Sequence, residues 1–189
     1  MAFWKKKMNM SEEDFERLRF PIGKHQKPET ITTDHIKAWK KDLIELPYEL
    51  RKITAGIRDK DLSKTYRPDG WTARQVIHHV ADSHMNAYIR FKLALTEDTP
   101  EVKGYDEAAW ANLHDSTTMN VDISLKMIDA LHTRWVYLLD SMKKKDWARM
   151  YDHNEYDQPA PLDSVLGLYA WHGKHHTAHL SIIKENLKY

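Results

Sequence analysis

The chain has 189 residues, enough for one domain with a real core, and its 29 Lys and Arg against 28 Asp and Glu leave a net charge of +1. That balance gives no electrostatic footprint for nucleic acid, and no apolar run reaches the ~18 residues of a membrane span. The absence of cysteine excludes thiolate metal sites, disulfides and a cysteine nucleophile, fits a cytoplasmic setting, and leaves His, Asp or Glu to hold any metal.

No apolar stretch follows Lys5-Lys6-Lys7, so no signal peptide is expected. Residues 1–32 read as an N-terminal arm, irregular around Pro21-Ile22-Gly23 and Lys27-Pro28, with at most a short helix over residues 12–18. From Thr33 or Asp34 onward, Ile36, Trp39, Leu43, Leu46, Leu50, Ile53 and Ile57 recur at steps of three and four. This predicts a long amphipathic helix, which Pro47 should kink or split. After the turn residues Tyr66-Arg67-Pro68-Asp69-Gly70, the Thr72-Ala73-Arg74-Gln75 run matches a capping box, with Trp71 and Val76 as its hydrophobic staple. A second long helix should therefore begin there and end near Glu97, before Pro100. A short helix is expected around residues 106–113, and then a long one with Ile128, Leu131, Trp135, Leu138 and Met142 on one face.

The last helix should start near Pro161 or Asp163, and it carries Trp171-His172-Gly173-Lys174-His175-His176-Thr177-Ala178-His179. On a helical wheel Val165, Tyr169, Leu180, Ile183 and Leu187 form the apolar arc. His172 and His176 fall inside it, His179 lies close beside it, and His175 sits at its edge next to Leu168. Residues four apart lie one above the other on a helix, so His172 and His176 can converge on one ion. The connection over residues 143–163 is long for a bundle and should fold over the site as a lid or small hairpin carrying His153.

Four long helices with no convincing β alternation imply an all-α four-helix bundle over residues 33–189, a fold whose core holds ligands and metals between facing helices. A catalytic metal needs a third protein ligand. The second helix offers His78, His79 and His84. His79, Ser83, Asn86 and Arg90 form one polar stripe along the border of the apolar arc, whereas His84 lies nearer the middle of that arc. Periodicity leaves His79 and His84 equally eligible. His132, on the third long helix, is expected to be dispensable for metal binding.

Two segments resemble the DinB/YfiT-like superfamily, most nearly its YfiT-type metal-dependent hydrolases. Residues 66–86, with Trp71-Thr72-Ala73-Arg74-Gln75-Val76-Ile77-His78-His79 at their centre, are similar to its first histidine motif, and residues 167–176 to its second. The resemblance runs from Pro21-Ile22-Gly23 to near the C-terminus. It implies a four-helix bundle with one divalent ion, Zn2+ or Ni2+, held by His79, His172 and His176, and often a homodimer. Pro161 departs from the pattern, standing where many relatives carry a capping threonine.

Three neutral imidazoles leave an ion's charge uncompensated, which suits it to activate water or polarise a small-molecule substrate. Asp82, one turn after His79, is the candidate base or an acceptor for a ligand's far nitrogen, and Arg90 the candidate contact for an anionic substrate. The resemblance also extends to metal-dependent thiol S-transferases that use low-molecular-weight thiols such as bacillithiol. A metal-binding or stress-response protein without turnover is a further reading.

Overall fold

A computed structural model of the chain describes residues 10–155 and 157–187. Residues 1–9, including the lysine run read above, lie outside them. Helix α1 (Glu12–Arg19) is capped by Ser11, whose hydroxyl accepts from the Asp14 amide. Four long helices follow: α2 (Thr33–Thr54), α3 (Ala73–Thr96), α6 (Val121–Ser141) and α7 (Leu162–Glu185). Two short helices, α4 (Glu107–Ala111) and α5 (His114–Thr118), bridge α3 to α6. The protein is the expected four-helix bundle, with a small sheet in which the hairpin expected between residues 143 and 163 supplies two strands.

Local chemistry explains most boundaries. Thr72 accepts from the Gln75 amide and the Gln75 side chain accepts from the Thr72 amide, so the predicted capping box starts α3. Pro47 does not split α2, which runs through it from Thr33 to Thr54 with Pro47 buried. Ile57, expected within that helix, follows its end but still packs in the core.

Each of α2 and α3 packs against both α6 and α7. Helices consecutive among the long four, α2 with α3 and α6 with α7, therefore stand on the diagonals of the bundle. The approach of α7 to α2 is close. A β-carbon on Gly173 would come within 2.6 Å of a Leu46 methyl, and one on Gly167 within 2.9 Å of the Trp39 ring.

The segment before α7 forms β2 (Met150–His153) and β3 (Ala160–Pro161), an antiparallel hairpin. A parallel strand, β1 (Glu101–Val102), joins its other edge, pairing Val102 with His153. Arg149 fastens the hairpin to the end of α3 by donating to the carbonyls of Ala94 and Glu97.

Two apolar clusters fill the bundle. One contains Leu46, Leu50, Val76, Val80, Leu125, Ile128, Leu180 and Ile183. The other contains Leu43, Phe91, Trp135, Leu139, Leu162 and Leu166. On α3 His84 falls between them, on α6 His132, and on α7 His172 and His176. A layer of imidazoles thus divides the core. No helix among the described residues is long and apolar enough to cross a membrane.

Because the cap also sets the register in which α3 presents His79, Thr72→Ala should lower stability by about 1 kcal/mol. Thermal melts of the two proteins would measure it. An unchanged midpoint would show that the cap contributes nothing.

Candidate metal centre

His79 from α3 and His172 and His176 from α7 meet in the core, each offering one ring nitrogen within 4.8 Å of the others. The helical spacing achieves part of this: His172 and His176 stack along α7 with ring centroids 4.5 Å apart. The bundle supplies the rest, since α3 and α7 are packed neighbours. The Nε2 atoms of His79 and His172 are 3.2 Å apart. Ligand nitrogens at ~2.0–2.1 Å around a tetrahedral ion stand roughly 3.3 Å from one another, so this pair already has the spacing of one coordination edge. The donor set is three neutral nitrogens, which suits zinc or nickel better than magnesium or calcium. Trp71 closes one side, its ring 4.5 Å from His79 and 6.2 Å from His176.

The other histidines take different places. His78 faces α6, where Nδ1 is 2.8 Å from the Ser124 hydroxyl and Nε2 3.2 Å from the Met119 carbonyl. His84 does not join the three. It stands behind His172, with Nε2 3.2 Å from His172 Nδ1, and on its far side touches His132 at 2.9 Å. His179 contacts His176 and stacks on Tyr66 with centroids 3.8 Å apart. His175, His176 and His179 form a second compact histidine group, and His175 stacks on Trp171. The N-terminal arm covers this flank, as Phe20 lies against His175 and the Gly23 carbonyl accepts from the Trp171 indole.

Burial pushes these imidazoles toward the neutral form. Desolvation lowers His79 and His132 to about 4, His175 to about 4 and His179 to about 3. It takes His84, His172 and His176 well below the usual histidine value, with mutual repulsion adding to the effect. Neutral rings hold lone pairs ready for a cation.

A cavity of about 160 Å³ opens beside His172, lined also by Ser83, Arg90, Tyr105, Glu107 and His153. Arg90 is buried, not a solvated flank, and donates to the Lys103 carbonyl at 2.9 Å. The sequence placed Arg90 far along α3 from His79. The cavity joins Arg90 instead to His172 of α7, running past Ser83 and His153 of the β2–β3 hairpin. Burial holds the Tyr105 hydroxyl, beside Ser83, above the usual tyrosine range. Asp82 is half-buried, and burial, then Asp115, raise its carboxyl to about 6. It is in neither histidine group. The sequence reading missed Tyr105, and no motif marked it, because a loop residue enters the site only through the packing of β1.

Residues 42–180 match the DinB superfamily model. The chain belongs to the DinB superfamily. Relatives from Bacillus cereus strain G9842 and Bacillus mycoides strain KBAB4 are each 48% identical over 172 residues, covering 91% of this chain and 98% of theirs. Both are named "Putative metal-dependent hydrolase". A solved structure, YfiT from Bacillus subtilis, superposes with a TM-score of 0.87 at 41% identity, covering 89% of this chain and 97% of that one. It is described as "a probable metal-dependent hydrolase with an unusual four-helix bundle topology". This DinB-superfamily protein shares with that structure a four-helix bundle.

The lowered histidine values set a pH dependence. In the unfolded chain these rings take up protons near pH 6.5, whereas in the fold they do not, so their stabilisation is complete above that pH. It is lost as pH falls from 6.5 toward about 4, where folded His79 and His132 protonate. His132 alone accounts for roughly 3 kcal/mol. Melts of metal-free protein should therefore show a midpoint that drops steadily below pH 6.5. A flat profile down to about pH 5 would contradict the neutrality of the layer.

Proposed function

We propose that the protein is a metal-dependent hydrolase of small molecules, with one Zn2+ or Ni2+ held by His79, His172 and His176. The observation that carries this reading is the cavity: it opens on His172 and is lined by groups able to bind and polarise a substrate. A bound divalent ion supplies Lewis acidity, lowering the pKa of water and polarising a carbonyl or phosphoryl oxygen.

The chain's own residues do the remainder. Arg90, held by the Lys103 carbonyl, keeps further guanidinium donors for an anionic group on the substrate. Tyr105, protonated at any physiological pH, donates a hydrogen bond to a substrate oxygen. Asp82, raised to about 6, is matched to accept a proton near neutrality, although it stands outside the histidine group. The β2–β3 hairpin brings His153 over the cavity and limits the entry of bulk water.

Metal-loaded protein should hydrolyse members of an ester, amide and phosphoester panel. Turnover of an electrophile that appears only with an added low-molecular-weight thiol would reassign the site to S-transfer. Metal binding with neither activity would leave a binding protein. His172→Ala and His176→Ala should each remove most metal and all turnover, measured by elemental analysis and rate. Arg90→Lys should keep the metal and raise KM for anionic substrates about tenfold or more, and unchanged kinetics would release Arg90 from substrate binding.

The reading includes a homodimer, supported by exposed Ile44 and Tyr48 on α2 and Tyr137 on α6, apolar side chains that a partner would cover. Sedimentation equilibrium showing a 22.4 kDa species at all concentrations would reject it.

A further inference from the structure

We propose that two hydrogen-bonded histidine chains, each ending on a backbone carbonyl, fix the tautomers of His172 and His176 so that both present an Nε2 lone pair to the metal. The proposal rests on the three-histidine metal reading and assigns positioning roles to His84, His132 and His179.

The first chain starts at the Leu43 carbonyl, which can only accept. His132 Nδ1 lies 2.6 Å from it and must carry the proton. A neutral imidazole has one N–H, so His132 Nε2 is a lone pair. It faces His84 Nδ1 at 2.9 Å, and that contact is a hydrogen bond only if His84 Nδ1 donates. His84 Nε2 is then a lone pair in turn, 3.2 Å from His172 Nδ1, which must donate to it. What remains is His172 Nε2, unprotonated and turned toward His79 Nε2 at 3.2 Å.

The second chain starts at the Arg19 carbonyl, 3.2 Å from His179 Nε2. That nitrogen carries the proton, so His179 Nδ1 accepts. Its partner at 3.4 Å is His176 Nδ1, which donates, leaving His176 Nε2 free for the ion.

The logic is one of parity. Each neutral ring passes the donor–acceptor sense along unchanged, so one carbonyl at the far end sets every ring before the metal. Reversing a single tautomer would set two lone pairs or two N–H groups against each other in a dry core, at the cost of a buried unmet polar group. A ligand whose far nitrogen donates a hydrogen bond is also oriented and made more basic.

The direct test is ¹⁵N NMR of histidine-labelled, metal-free protein. Nδ1–H is expected on His84, His132, His172 and His176, and Nε2–H on His179. Nε2–H on His84 or His132 would overturn the first chain, and Nδ1–H on His179 the second. These readouts hold even if no metal binds, which would remove the hydrolase reading and leave the tautomer assignment standing. For the effect on the metal, competition titrations should show zinc affinity about 10–100-fold weaker in His84→Leu and largely restored in His84→Gln, which again offers a donor and an acceptor. Equal loss in both would show that His84 only fills space. A second ion per chain that His179→Leu abolishes would make His179 a ligand and overturn the second chain.

Discussion

A buried imidazole has two unlike nitrogens, and a core holds it at least cost when both are answered. That requirement organises the middle of this bundle. Hydrophobic clusters above and below supply the driving force for folding, but they would accept many helix registers. The histidine layer accepts few. His84 has to face His132 on one side and His172 on the other, and His132 has to reach the Leu43 carbonyl. Together these contacts tie α2, α3, α6 and α7 at one level of the bundle. The trio of His79, His172 and His176 sits at the end of this arrangement and inherits its precision.

Much of this was legible in the sequence. The period-3.6 apolar pattern gave the four long helices because amphipathic faces leave strong traces, and the capping box at Thr72 and Gln75 marked the start of α3. The His172 and His176 pair stood out because i, i+4 spacing is geometry within one helix. His79 was harder. A wheel could not separate it from His84, since both rings reach His172 on α7, one at each of its nitrogens, and only the packed neighbours show which side faces the trio. The family resemblance chose His79, and the structure shows what His84 does instead.

What stayed hidden depended on contacts between distant segments. The hairpin before α7 was expected from the length of its segment, but the pairing of β1 with β2 was not, since β1, two residues long, is too short for alternation to register. Tyr105 is an unremarkable loop residue until β1 docks beside the hairpin. Arg90 looked like one member of a polar stripe, yet Lys103 and the hairpin bury it. His132 seemed incidental on α6, although two hydrogen bonds join it through His84 to a candidate ligand. Pro47 is the converse case, a strong local signal that does not break α2, whose buried face carries the helix through it.

The diagonal arrangement of consecutive helices governs how this molecule comes into being. Since α2 packs on α7 and not on α3, its nearest partners lie more than sixty residues downstream, so the native contacts of the bundle are dominated by distant pairings. Such a topology closes slowly compared with a bundle of successive hairpins. During synthesis α2 and α3 can first meet α6, but the apolar faces they turn to α7 stay uncovered until the last helix has left the ribosome. His79 is made early, but its companions reside near the end of the chain. The three ring nitrogens therefore come together only when translation is nearly complete.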